Sequence, residues 1–310
     1  MRTLSLCIAF ITSILLPTPS FAMDPSALLV CGGVDDTAAF SAWLTGARDR
    51  ADPELKIAPG RCKVTAAPPV ITWPVSIQGA GIDLSIIERD YNANLGEAIF
   101  HLREGTRGSR LSGLSVISAA SRTGGHALLI ASTSTYTNGN IVVENAKFSC
   151  DGLNCWNTTV RLDGTTRLIE PRGVRGVTFS NVHIFGASFV SLELATAVGF
   201  SYHGGGIYPA SGNSRYSGGL QIRGIDGYPS QYIIMSVSNV GVLNLSNVLG
   251  AKIDASDMGI GNGYVVETAG SAINVSLRGM VWPGIGIPNG GVMSNWQASS
   301  LTKPDGTVLR

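Results

Sequence analysis

The alternation of apolar and polar positions changes character once along this chain. Between Asp36 and Asp49, Phe40, Trp43, Leu44 and Ala47 recur at i, i+3, i+4 and i+7, the signature of one amphipathic helix. Asp35 or Asp36 is suited to start it, because a carboxylate there accepts the free N–H groups of the first turn and meets the positive end of the helix dipole. Glu54 to Val64 then reads as strand, Pro59-Gly60 turn, strand. From about residue 66 onward short runs rich in β-branched residues (ITWPVSIQ, LSGLSVIS, NIVVENAKF, VRGVTFSNVHI, YIIMSVSNVGVLNLSNV, INVSLRGMV) alternate with Gly, Asn, Asp and Ser, and no long helical period intervenes. The chain is predicted to be all-β apart from that helix.

Self-comparison supplies an architecture. Phe179-Ser-Asn-Val182, Phe200-Ser-Tyr-His203, Ile222-Arg-Gly-Ile225 and Leu245-Ser-Asn-Val248 begin 21, 22 and 23 residues apart. A drifting period of this size fits one turn of a β-solenoid, each coil of which buries its apolar face only against its neighbours. Asn145, Asn181, Gly224, Asn247 and Gly279 fall at the third position of such runs, where a corner requires left-handed backbone angles. A sandwich or barrel is the rival; the recurring spacing and the lack of two-residue hairpin signals favour the solenoid. The 39 glycines, about one residue in eight against a usual ~7%, are spread through the second half rather than gathered in a linker, as frequent turning demands. In this arrangement the helix closes the first coil, which would otherwise offer an open edge.

The first twenty-two residues carry Arg2, an apolar run from Leu4 to Leu16 and the ending Ser20-Phe21-Ala22, and read as a secretory signal peptide, so the mature protein is expected to be secreted, periplasmic or extracellular. The segments expected are residues 1–22 signal peptide, 23–65 helix and first strands, 66–290 solenoid, and 291–310 a terminal cap or tail. No later run of 18 apolar residues could span a bilayer. Removing Arg2 from 22 basic residues leaves 21 against 21 acidic ones. A neutral chain with 14% charged residues has no electrostatic footprint for nucleic acid or for an anionic membrane.

Four cysteines remain after loss of Cys7. The export context predicts disulfides Cys31–Cys62 and Cys150–Cys155, since local loops close at least entropic cost. A metal site at Cys150-Asp-Gly-Leu-Asn-Cys155 is the alternative, but the spacing is not that of a two-cysteine knuckle. No metal or cofactor is expected from the sequence itself.

Val34-Asp35-Asp36-Thr37-Ala38-Ala39-Phe40, then Ile57-Ala58-Pro59-Gly60-Arg61-Cys62-Lys63-Val64, then Ile77-Gln78-Gly79-Ala80-Gly81 resemble, in order and spacing, the N-terminal part of the pectate-lyase-like superfamily of right-handed parallel β-helix proteins. That group includes glycoside-hydrolase-28-related and rhamnogalacturonase-like enzymes and phage tailspike depolymerases. The resemblance implies a right-handed parallel β-helix with an N-terminal capping helix. It also implies a complex or acidic polysaccharide as partner, bound along a groove on one face, and a structural rather than catalytic Asp35-Asp36. Tailspike-like members are trimers, so the chain is expected as monomer or homotrimer. Calcium would enter only if the reaction were a lyase elimination.

Placing the four repeats in register gathers His183, Gly204 and Asp226 in one column, with Tyr202, His203 and Arg223 beside it and Gly204-Gly205-Gly206 leaving room for a sugar. The candidate catalytic residues are therefore Asp226, His203, Arg223 and His183. His203-Gly204 and Arg223 echo the Gly-His-Gly and Arg-x-Lys elements of glycoside hydrolase family 28, but that family's Asn-Thr-Asp and Asp-Asp motifs are missing from the matching upstream region. Hydrolysis needs two carboxylates flanking the bond, and the patch holds one. Glu144, Asp163, Glu170, Glu193, Asp254, Asp257 and Glu267 are weaker candidates. Tyr202, Tyr208, Arg215 and Tyr216 are candidate substrate-binding residues, because tyrosine offers a flat apolar ring with a hydroxyl. Cleavage of a polysaccharide, by hydrolysis or elimination, is the first functional expectation; a non-catalytic carbohydrate-binding or cell-surface structural protein is the second.

Overall fold

The computed structural model describes residues 27–309 except 50–53, 133–138, 153–154, 165–172, 209–218, 226–227, 242, 259–265, 282–290, 295–296 and 303–307. The proposed signal peptide and Asp226, Arg215, Tyr216 and Glu170 lie outside the described residues, as do the side chains of Asp257 and Glu267.

All named strands join one parallel system, with an antiparallel pair only where Gln297–Thr302 meets Val308–Leu309. Three ladders recur coil after coil. One runs through Glu54–Ile57, Ser76–Gly79 and the first residues of Arg110–Ser118, Val142–Cys150, Thr178–Phe185 and Ser201–Tyr208. The last residues of those long strands continue a second ladder begun by Gly60–Val64 and Ser85–Arg89. The third stacks Ala98–Leu102, His126–Ala131, Trp156–Asp163, Ala187–Ala195, Leu220–Arg223 and the start of Leu243–Met258. The chain is a parallel β-helix, as the N-terminal motif led us to expect. Inward positions such as Val143, Phe179, Tyr202 and Met235 form one continuous apolar core.

The bends between ladders are made by stacked left-handed residues. Gly113, Asn145, Asn181 and Gly204 (φ 63, 46, 51 and 70°) occupy one bend, and Asn181 Nδ2 donates to Asn145 Oδ1 at 2.9 Å. Asn and Gly tolerate this region where a side chain branching or bulky at Cβ does not. Asn247 is also left-handed (φ 51°), whereas Gly224, read as the same kind of corner, is not.

The sequence register needs correction. Phe179 lies opposite Tyr202, not Phe200, and His183 opposite Gly206. Ile222 does pair with Leu245, but on the third ladder, while Phe179 and Tyr202 belong to the first. An apolar–polar–apolar run is required on every face of a solenoid, so runs that look equivalent come from different faces. Real coil lengths differ: Ser180 to His203 is 23 residues, His203 to Ser236 is 33, and Ser236 to Asp254 is 18.

The helix spans Thr37–Asp49 and buries Phe40, Trp43, Leu44 and Ala47, the four residues its period picked out. Phe40 lies 5.9 Å from Phe100, and Trp43 Nε1 donates to Ala27 O at 3.0 Å. The two aspartates divide the work. Asp35 Oδ1 accepts from Thr37 N at 3.0 Å at the helix start. Asp36 instead accepts from Gly32 N (2.7 Å), Gly33 N (3.1 Å) and Lys63 N (2.9 Å), tying the helix to the strand Gly60–Val64. Cys31 and Cys62 are joined, as are Cys150 and Cys155.

Candidate functional site

The predicted residues separate onto different faces. Tyr202 points inward and is fully buried; its ring packs edge-on to Phe179 and Phe200, and its hydroxyl donates to Val182 O (2.5 Å) and Gly206 O (3.2 Å). It cannot meet a substrate. Apolar surroundings push its phenol pKa upward. His203 is exposed on the first ladder between Ser180 and Ser236, and His183 lies across the Asn181 bend on the second. Arg223 belongs to the third ladder, opposite Ala195 and Ser246. His183 and Gly204 therefore do not share the predicted column, whose third member, Asp226, lies outside the described residues.

Two constellations replace it. On the outer side of the second ladder, His183, Phe185 and Tyr208 carry nearly parallel rings: Phe185 and Tyr208 have centroids 4.4 Å apart at 11°, and His183 lies 6.4 and 6.2 Å from them at 17° and 12°. They line up because His183 and Phe185 flank inward Ile184, while Gly206 and Tyr208 flank inward Ile207, one coil on. All three rings are half-buried. Burial, then the charge of nearby Lys147, holds the imidazole below its ordinary pKa, so it is neutral at pH 7. Lys147 stands opposite His183 in the preceding coil and pairs with Asp83 at 2.9 Å.

The glycine run has a different use from the one expected. A Cβ on Gly206 would come within 2.8 Å of the Tyr208 hydroxyl and of Ser238 Oγ, and one on Gly205 would strike Val182 O. The space left at Gly206 is filled by the Tyr208 phenol, which meets Ser238 Oγ at 3.1 Å. Glycine here seats the aromatic ring; it does not make room for a sugar.

The second constellation lies on the outer side of the third ladder. Arg161 bridges Asp163 (2.8 Å) and Glu193 (3.2 Å), and Glu193 also accepts from Arg223 Nε at 2.5 Å. Arg161 pairs directly with Glu193 across one coil, and Arg223 with Ala195, so the four side chains interdigitate over three coils. The Glu193 and Asp163 side chains are only 5% and 8% exposed, the Arg161 and Arg223 side chains 21% and 32%. Two guanidiniums thus cover two carboxylates. Asp163 and Glu193 were among the weaker candidates in the sequence; nothing there marked Arg161 or Phe185, although the period-two alternation of His183-Ile-Phe185 and Gly206-Ile-Tyr208 would have, given the true register.

The two groups flank one corner. Thr159 Oγ1 donates to Phe185 O (3.0 Å) and Ser191 Oγ to Tyr208 O (3.2 Å), so outward hydroxyls of the third ladder hold the ends of the strands bearing the rings. Glu144 pairs with Arg110, and Asp254 with Lys252 at 3.7 Å, leaving both in ordinary surface ion pairs. Among the described residues no group of three or more His, Cys, Asp or Glu side chains is placed to hold a metal ion.

No family model matches the chain. No curated protein matches it either. Among solved structures it is similar to the A-module of mannuronan C-5 epimerase AlgE4 from Azotobacter vinelandii, with 12% identity, 90% of each chain covered and a TM-score of 0.42. It is also similar to the catalytic domain of a GH87 α-1,3-glucanase in complex with tetrasaccharides, at 10% identity and a TM-score of 0.39, over 93% of this chain and 57% of that one. A third is tailspike protein 2 from Escherichia coli O157:H7 bacteriophage CAB120, at 11% identity and a TM-score of 0.41, over 88% of this chain and 40% of that one. At these identities the likeness concerns the fold alone. No helix among the described residues is long and apolar enough to cross a membrane.

Proposed function

We propose that this is an exported polysaccharide-binding β-helix whose outer surface holds sugar against the His183, Phe185 and Tyr208 rings. The observation that carries the reading is that three near-parallel, half-exposed rings stand on consecutive coils outside the core. Pyranose rings present axial C–H faces that pack on aromatic surface, while the neutral imidazole and the Tyr208 hydroxyl offer hydrogen bonds to sugar hydroxyls. In this reading the helix Thr37–Asp49 closes the N-terminal end of a right-handed stack, and the two disulfides suit an oxidising compartment.

Electrophoresis through gels cast with polygalacturonate, alginate or dextran tests it. Wild-type protein is expected to be retarded by at least one polymer, and a Phe185→Ala/Tyr208→Ala variant with unchanged melting to migrate freely. Equal retardation of both proteins sinks the proposal.

A second reading, cleavage, is favoured by one observation: Asp163 and Glu193 come within reach of a single guanidinium, so two carboxylates lie close together as glycoside hydrolysis requires. Their present burial beneath two arginines opposes it, because a general acid must reach the glycosidic oxygen. New reducing ends from a polymer, abolished by Asp163→Asn in a folded variant, would establish hydrolysis; unsaturated-product absorbance alongside them would indicate elimination.

A further inference from the structure

A second bend of the solenoid is built from Asn140, Gly176, Gly199, Tyr232, Gly250 and Asn274, stacked in successive coils by the pairings on either side. All six have positive φ, from 53° at Asn140 to 77° at Gly250. Five are Gly or Asn, the residues that enter this region at little steric cost. Tyr232, at φ 55°, is the exception. A bulky side chain there is strained, and strain of this kind persists where something other than stability retains the residue.

Among the described residues nothing in the packing offsets it. The Tyr232 side chain is 65% exposed, and among the described residues its hydroxyl makes no hydrogen bond and its ring no aromatic contact. The neighbours above and below at the bend, Gly199 and Gly250, carry no side chain to pack against the ring. Two residues on, Ile234 is 48% exposed and lies opposite the exposed Lys252 in the next coil.

We infer that Tyr232 is a sugar-contacting residue, a second stacking point for the polysaccharide on a face separate from the His183, Phe185 and Tyr208 rings. The ligand class rests on the function proposed above. A single ring standing between glycines fits a ligand one sugar ring thick. It does not fit a second protein surface, which needs about 800 Å² per partner, whereas the exposed apolar side chains here are Tyr228, Tyr232 and Ile234 alone among the described residues of this region.

Tyr232→Asn installs the residue that Asn140 and Asn274 already supply at the same bend. The expected result is twofold: a melting temperature raised by about 2 °C as strain is released, and retardation in the best of the three polysaccharide gels weakened by about fivefold. A binding loss with lowered melting temperature overturns the inference, because the ring would then be structural. Raised stability with unchanged retardation also overturns it, and if Phe185→Ala/Tyr208→Ala abolishes retardation in the same gels, the proposed function stands without Tyr232. Wild-type protein retarded by no polymer defeats both. Self-association of the wild type in sedimentation that Tyr232→Asn abolishes would assign the ring to a protein interface instead and overturn the sugar site.

Discussion

Replacing Tyr202 with Phe separates core from surface at a position where sequence alone pointed the wrong way. The variant keeps the ring and its edge-on packing against Phe179 at 5.6 Å, and removes one hydroxyl that donates to Val182 O at 2.5 Å and Gly206 O at 3.2 Å. Because the residue is fully buried, water cannot replace the lost donor. The cost is about 1–2 kcal/mol, the price of a buried hydrogen bond with an acceptor left behind. In a chain of this size that lowers the melting temperature by about 2–6 °C. Polysaccharide retardation should not change. Tyr208→Phe gives the mirror image, since its hydroxyl meets Ser238 Oγ at the surface: melting within about 1 °C of wild type and weaker retardation. Scanning calorimetry and affinity electrophoresis on the same preparations decide the matter. Loss of binding by Tyr202→Phe at unchanged melting temperature would place Tyr202 outside and refute the register on which the ring cluster depends.

Asp36→Ala removes an acceptor of three backbone N–H groups and should cost about 2–4 kcal/mol, clearly more than Asp35→Ala at the exposed helix start; urea midpoints compare them, and equal losses would contradict the division of roles. His101 is held down to about 4 by burial, then by Arg103 and His126, so the unfolded chain binds its proton first on acidification. The stability tied to its neutral form is complete above pH 6.5 and disappears as pH falls toward 4, a loss of about 3 kcal/mol. Melting temperatures at pH 7 and 4.5 should diverge, and His101→Gln should reduce the divergence; an unchanged slope in the variant would exclude His101 as a source.

What the sequence disclosed and what it hid follow the same line. The helix was legible because its four buried residues obey one period within a single element. The solenoid was legible because strand runs and left-handed Asn and Gly recur. Local disulfides were legible because few pairings were cheap. The site was not, because a site on a solenoid is a relation between coils, and each coil length varies with its loops: 23, 33 and 18 residues in three successive turns. An error of two residues put Phe200 where Tyr202 belongs and sent Tyr202 to the surface, and a run of the third ladder taken as the next repeat brought Arg223 beside it.

The same geometry explains why outward residues are informative once the register is known. An inward position is constrained by the coils above and below, so Val143, Phe179 and Tyr202 are answered by packing alone. A bend position is constrained by backbone angle, which Gly113, Asn145, Asn181 and Gly204 satisfy. Outward positions answer to neither demand, and an aromatic placed there buries only part of its surface. Phe185 and Tyr208 stack on each other and recover some of that cost. Tyr232 meets the bend constraint badly and has no stacking partner among the described residues. Neither packing nor backbone angle accounts for this exposed aromatic at a bend, and its replacement therefore separates a binding role from a structural one.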